Sequence, residues 1–311
     1  MKERIINLAK KCGADIVKFA PAGRFDKNDA LFTIMPGVKT VIALAFRVLR
    51  GTYRGIEEGS TYYQYTTMAV ENMEETVMPM AALRVSTLIE SEGYSALAQR
   101  RHQQIMKETD STNPEVAYDA IYRTREAETQ LDFENTAVVC GIGERGKNGS
   151  VLCDDFGPMV RYCFILTDAE IEPDDPFVPH ICDNCGECIK ACPGKAISEK
   201  GEVDIWRCAV YYNGANGLKN PFMPPDAFAK FKDRLEIISG EADITPERAR
   251  EIIDNIYFYP PAQHAYTASI CGRACDMACY IHLEEKGVLK RSFKTPFRKR
   301  KAWEFDLEDY K

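Results

Sequence analysis

Eight of the twelve cysteines in this 311-residue chain have a spacing suited to thiolate ligation of metal. The central run is Cys182-Asp-Asn-Cys185-Gly-Glu-Cys188-Ile-Lys-Ala-Cys192-Pro193. Gaps of two, two and three residues ending in Cys-Pro match the bacterial ferredoxin pattern. A cubane presents four iron corners, and two-residue gaps let one turning loop reach three of them. The N–H groups of that loop then point at sulfur and offset its negative charge. The fourth cysteine has moved past the cube and in ferredoxins ligates a different cluster. Cys208, Cys271, Cys275 and Cys279 supply four further thiolates, so the count closes at two [4Fe–4S] clusters. Following the ferredoxin pattern, Cys182, Cys185, Cys188 and Cys279 form one set. Cys192, Cys208, Cys271 and Cys275 form the other. Two readings compete: a zinc site built on Cys-x-x-Cys pairs, which the spacing disfavours, and a buried helical stripe of Cys271, Cys275 and Cys279. Cys12, Cys140, Cys153 and Cys163 have no motif spacing and read as small core residues.

A second feature is the loop Gly141-Ile-Gly143-Glu-Arg-Gly146-Lys147-Asn148, which fits G-x-G-x-x-G. A dinucleotide fingerprint follows a strand and opens a helix. Here a helix is expected before the loop, around residues 134–140, and strands after it. No helix start is then aimed at a pyrophosphate. The loop remains a candidate cofactor contact, because glycines allow close backbone approach, with a tight turn as the competing reading.

The elements that must position these groups are legible in outline. Residues 2–12 read as an amphipathic helix, 15–20 and 38–46 as strands, and 159–167 as a strong strand. Between residues 60 and 91, Tyr65, Ala69, Met73, Val77, Met80, Ala81 and Leu88 recur at helical spacing and are expected in the core. Residues 94–98 look extended. The acidic, proline-bearing stretch 168–179 reads as a linker, which predicts domains at 1–175 and 176–311. Within the second, residues 209–270 form an insert with a loop at 213–225 and helices near 226–238 and 246–257. Thr245-Pro246-Glu247 supplies an N-cap, an N1 proline and an early acid.

Bulk properties narrow the function. No apolar run reaches the roughly 18 residues that span a bilayer, and the amphipathic start lacks the apolar core of a secretory signal. A cytoplasmic location is therefore expected, where twelve cysteines mean metal ligands rather than disulfides. A net charge of −7 and a pI near 5.4 argue against nucleic acid as the main partner. The exception is the basic tail over residues 286–301, with Lys290, Arg291, Lys294, Arg298, Lys299 and Arg300. It reads either as a solvated tail or as a docking element for a corrinoid or other acidic protein.

Taken together, Pro36-Gly-Val-Lys-Thr-Val-Ile-Ala-Leu-Ala45, the loop 141–148, Phe164-Ile-Leu-Thr167 and the run 182–193 resemble the epoxyqueuosine reductase and reductive dehalogenase superfamily. The resemblance covers roughly residues 1–210, and the Gly-Lys-Asn loop is its specific part. It implies an α+β fold: a nitroreductase-like, cobalamin-binding domain followed by a ferredoxin-like domain with two [4Fe–4S] clusters. It further implies base-off cobalamin near Gly141, Gly143, Gly146, Lys147 and Asn148. Electrons would come from a low-potential donor of the ferredoxin or flavodoxin type and pass through the clusters to cobalt, for use on an oxidised or halogenated substrate. A cobalamin-free electron-transfer protein serving a corrinoid partner is the alternative.

The chain also departs from that pattern. Epoxyqueuosine reductases carry an aspartate ahead of Pro and Glu as general acid, whereas residues 127–134 read Ala-Glu-Thr-Gln-Leu-Asp-Phe-Glu. Glu128, Asp132 and Glu134 are the substitutes in reach. Helical repeats that bind tRNA are not expected within these 311 residues, and the last cysteines lack a second Cys-Pro. None of His102, His180, His264 and His282 sits in an Asp-x-His-x-x-Gly context for ligating cobalt from below. His180 and His282 flank cluster cysteines and are expected to hydrogen-bond near them. Tyr63, Tyr65, Tyr122 and Arg125 are candidate proton donors or anion clamps, with core or surface roles as the competing reading.

Overall fold

Thr40–Arg47 reads Thr-Val-Ile-Ala-Leu-Ala-Phe-Arg, an unbroken apolar run of the kind covered on both faces. In the computed structural model it is a strand, buried throughout except at Arg47. The structure describes residues 1–57, 63–101, 131–216, 220, 222–256 and 269–297. The chain divides into two compact units. The first comprises Met1–Arg47, Met73–Glu144 and Val160–Pro179. The second comprises Val48–Asn72, Arg145–Met159 and His180–Lys311. The glycine-rich loop is thus divided, with Gly141 and Gly143 in the first unit and Gly146, Lys147 and Asn148 in the second.

The first unit is a mixed α and β body built on one antiparallel sheet. Its strands run in the order Ile16–Pro21, Thr40–Arg47, Val160–Thr167 and Ala96–Gln99. Pairing Ile42 with Ile165 and Leu44 with Cys163 puts one set of alternate residues on a common face. Onto that face the helices Lys2–Lys11 and Met78–Ser91 bring Ile5, Ala9, Met78, Ala82, Val85 and Ile89.

Helical phase is where the structure departs from the sequence periodicity. Tyr65, Ala69 and Ala81 are buried as expected, and Met73 and Leu88 are partly so. Val77 and Met80, however, are 39% and 48% exposed, and Met78 and Val85 take the core positions. The cause is local: Tyr65–Glu71 and Met73–Val77 are π-helical. Wider turns of that kind shift the phase of every side chain that follows.

The second unit carries the helices Glu187–Ala191, Ile205–Tyr212, Arg234–Ser239, Pro246–Ile253 and Ala274–Glu285. Its insert has its own core, centred on Tyr211, Phe228, Phe231, Ile237 and Ile252. The expected Thr245 cap is present, its side chain accepting from Arg248 N. The expected helix near 226–238 is shorter, Arg234–Ser239, and Phe228 ahead of it holds a left-handed φ of 59°. A bulky residue in that conformation does not continue a right-handed helix. Among the described residues, no helix is long and apolar enough to cross a membrane.

Candidate metal centres: two four-cysteine cavities

The cysteine loop turns sharply because Asn184 and Gly186 both adopt positive φ, 60° and 78°. Glycine and asparagine are the residues that tolerate this conformation best. Asp183 Oδ1 accepts a hydrogen bond from Cys185 N at 3.2 Å, closing a side-chain turn between the first two cysteines. The short helix Glu187–Ala191 then carries Cys188, and Pro193 follows its end. Cys182, Cys185 and Cys188 thereby line an open cavity, which Cys279 completes from the helix Ala274–Glu285.

A second open cavity is lined by Cys192, Cys208, Cys271 and Cys275. Asp204 caps the helix Ile205–Tyr212 by accepting from Trp206 N and Arg207 N at 3.1 and 2.9 Å, which sets Cys208 on its first turn. Cys192 Sγ accepts from Ala196 N at 3.3 Å. Cys182, Cys185, Cys188 and Cys279 thus line one cavity, and Cys192, Cys208, Cys271 and Cys275 the other. Cys271 precedes its helix, while Cys275 and Cys279 lie on it and face different cavities.

Electrostatics mark the same two sets. Burial pushes the Cys279 thiol far up, and Asp276, Cys188, Cys182 and Cys185 push it further. Burial, with Cys208 and Cys192 beside it, raises Cys271 to about 11. Cys275 is raised by burial, then by Asp276, and also by Cys271 and Cys208. Four crowded, half-desolvated thiols do not ionise together without a cation among them. A cationic core with four sulfur-seeking corners answers that requirement, so each donor set fits a [4Fe–4S] centre.

The other sequence candidates fall as follows. Lys147 and Asn148 stand at the wall of the first cavity. Gly141 and Gly146 are used in the chain's own packing. A Cβ on Gly141, at φ 83°, would lie 3.0 Å from Asp175 O, and one on Gly146 2.9 Å from Leu152 Cδ1. Gly143 is buried. His282 Nε2 lies 2.9 Å from Asp183 Oδ2, and His180 Nε2 3.0 Å from Asp154 Oδ1. Lys286, then His282, hold the Asp183 carboxyl well below the usual carboxylate range.

In the first unit, Glu134 accepts from Arg101 Nη1 at 2.7 Å. Asp132 caps the helix Phe133–Val139, accepting from Asn135 N at 2.9 Å. In the second unit Tyr65 is fully buried, its ring 4.7 Å from that of Tyr53, and burial raises Tyr63. Along the basic tail, Lys286, Lys290 and Arg291 are ion-paired with Asp183, Asp154 and Asp155. His102, Tyr122, Arg125, Glu128, His264 and residues 298–301 lie outside the described residues.

Sequence reasoning missed three side chains around the cavities. Arg273 and Asp276 are interleaved with Cys271, Cys275 and Cys279, and their three-residue offset on a helix was the available signal. Arg207 is the third. Its Nε donates to Gly194 O at 2.6 Å, and its two terminal nitrogens donate to Ala242 O at 2.9 Å and Gly240 O at 2.6 Å.

Each of the two cavities brings together four cysteines, a donor set that a thiolate-ligated metal centre would fit, and the helix Ala274–Glu285 contributes to both. Comparison with known proteins narrows this. No family model matches the chain. A tetrachloroethene reductive dehalogenase of Desulfitobacterium hafniense is 35% identical over 105 residues, 25% of this chain and 19% of the relative. An epoxyqueuosine reductase of Gloeobacter violaceus is 35% identical over 80 residues, 26% of this chain and 25% of the relative. A solved reductive dehalogenase, described in connection with B12-dependent dehalogenation, aligns at a TM-score of 0.47 and 15% identity over 98% of this chain and 42% of its own. The matches to these curated relatives span about a quarter of their length or less. Over these stretches the chain is similar in sequence to curated epoxyqueuosine reductases and reductive dehalogenases.

Proposed function

We propose that this chain is an iron–sulfur reductase that carries low-potential electrons through two [4Fe–4S] clusters, one in each four-cysteine cavity. The observation behind this reading is the convergence of Cys279 on Cys182, Cys185 and Cys188, and of Cys192 on Cys208, Cys271 and Cys275. When bound, such clusters supply one-electron exchange at potentials that reach far below those of common carriers. The protein's own residues do the rest. Ile181 and Leu283 give the first cavity an apolar edge that limits water. Arg207 and Asn216, which donates to Pro193 O at 2.9 Å, fasten the insert to the Cys-Pro end of the second.

On this reading the second unit is ferredoxin-like, and the first corresponds to the nitroreductase-like domain of the family. The electrons come from a low-potential donor of the ferredoxin or flavodoxin type, in the cytoplasm. Kinship with the dehalogenases and epoxyqueuosine reductases supports base-off cobalamin as the acceptor. At Gly141 and Gly146 the space beside the Cα is taken by the chain's own atoms and not left for a ligand. That packing favours a second reading, a cobalamin-free electron-transfer protein that reduces a partner such as a corrinoid protein.

Reconstitution with iron and sulfide under anaerobic conditions tests the first point, with about eight irons per chain expected. Four or fewer, or zinc in their place, would overturn it. Mixing the loaded protein with hydroxocobalamin separates the two readings. Co-elution with a base-off spectrum supports the cobalamin enzyme, and free cobalamin in the flow-through supports the carrier.

A further inference from the structure

A short chain of polar side chains runs between the two cysteine cavities. Arg273, at a left-handed φ of 52°, lines the second cavity. Its Nε donates to Asp276 Oδ2 at 2.6 Å, and its Nη2 donates to Ser150 Oγ at 3.0 Å. Ser150 Oγ donates to Asp276 Oδ1 at 2.7 Å, and Asn148 Nδ2 donates to the same oxygen at 2.8 Å. Asn148 lines the first cavity. Arg273 thus stands at one cavity and Asn148 at the other, and the carboxylate of Asp276, only 3% exposed, joins them with both oxygens engaged.

Stability alone is a poor reason for this arrangement. An ion pair with one partner buried and the other 26% exposed at its side chain contributes little net stability, and a left-handed arginine is conformationally unfavourable. What the pair supplies is a fixed, unequal field at two places that receive charge.

Resting on the two-cluster reading above, we infer that Arg273 and Asp276 set the order of reduction, so that the first electron resides in the cavity of Cys192, Cys208, Cys271 and Cys275. Each step is a one-electron transfer from an external low-potential donor, taking [4Fe–4S]2+ to [4Fe–4S]1+, with no bond made or broken. The added electron is negative charge, and it is favoured beside a guanidinium that never deprotonates. Arg273 is on the wall of the second cavity and not of the first. The first cavity has a cation as well, Lys147, but it is half-exposed, and Lys286 is ion-paired with Asp183 with its side chain 55% exposed, against 26% for Arg273. Solvent and salt screen Lys286 more than they screen Arg273.

An EPR-monitored redox titration of the reconstituted protein, at about eight irons per chain, tests the inference. Cys208→Ser alters the signal of the second cavity and so identifies it. In the wild-type protein two steps are expected, the one assigned to the second cavity at the higher potential. Arg273→Gln should move that step down and narrow or invert the separation. Arg273→Lys should restore most of it, and Asp276→Asn should move both steps up. Where Arg273→Gln does not retain its iron, Arg273→Gln/Asp276→Asn leaves no lone buried charge and should draw the two steps together. A first electron in the cavity of Cys279 overturns the inference, as does an unchanged separation in fully loaded Arg273→Gln. Wild-type protein that never exceeds about four irons fails the two-cluster reading itself, a different result read before any titration.

Discussion

Cys275 and Cys279 stand one helical turn apart, yet the first lines the cavity of Cys208 and the second that of Cys185. Side chains at i and i+4 share a helix face, so this face is the partition between the two cavities. The rise over four residues is about 6 Å. Two centres anchored at those sulfurs would be held by the same rigid element, close enough for a short electron hop.

The partition predicts that each thiolate serves one centre. Cys192→Ser and Cys275→Ser should keep the iron of the first cavity, and Cys279→Ser that of the second. Each should retain about four of about eight irons after reconstitution. Iron analysis and EPR of variants with unchanged circular dichroism check this. Equal loss from both cavities in a folded variant would overturn the crossed pairing.

The grouping of the cysteines was legible because a chelating loop is a local object: gaps of two and three residues limit which corners it can reach. Charge was not legible in the same way. Arg273 and Asp276 look like any surface pair on paper, and their partners Asn148 and Ser150 lie more than a hundred residues away. The phase error at Met80 has another origin, since π-helical turns leave no signature in a 3.6-residue hydrophobic count. The glycine loop shows a third limit. Its spacing announces close approach, but not whether a ligand or the chain itself approaches, and at Gly141 and Gly146 it is the chain.

Close approach also decides what Gly194 tolerates. A Cβ there would lie 2.5 Å from Tyr211 Cγ and 2.8 Å from Tyr211 Cβ. That ring is buried, and its hydroxyl donates to Ile237 O at 3.0 Å, so it has little room to swing aside. Overpacking of this kind costs about 1–3 kcal/mol. Because Gly194 follows Cys192-Pro193, Gly194→Ala should lose iron from the second cavity before the first. Iron stoichiometry combined with the EPR signature of Cys208→Ser reads out which centre is lost, and preferential loss from the first cavity would contradict this account.

Arg207 fastens the insert through three carbonyl oxygens. Truncating it leaves those carbonyls with fewer donors, and Arg207→Ala should destabilise the protein by on the order of 3 kcal/mol. For a body of this size that is a fall in Tm of roughly 5–10 °C. Arg207→Lys should recover only part, because a single ammonium cannot match a planar fork aimed at three acceptors. Calorimetry of the two variants would decide, and a melting temperature within a degree of wild type for Arg207→Ala would remove the clamp from consideration.

The buried thiols outside the cavities predict how stability depends on pH. Burial raises both Cys153, where Asp155 and Asp154 add to it, and Cys163 to about 12, against about 8.5 for a cysteine in an unfolded chain. A folded-state pKa above the unfolded one stabilises fully below the unfolded value. That contribution is then lost as pH climbs from about 8.5 towards about 12, because only the unfolded chain ionises in this window. Each thiol removes up to about 1.4 kcal/mol per pH unit there. Cys163 sits in the core with Ile42 and Val85, so Cys163→Ala should be less stable than wild type at pH 7 through lost packing. Its urea midpoint should nevertheless fall less steeply between pH 9 and pH 10. Midpoints measured at these three values separate the two effects, and parallel lines for variant and wild type would show that Cys163 is not what makes the fold sensitive to alkali.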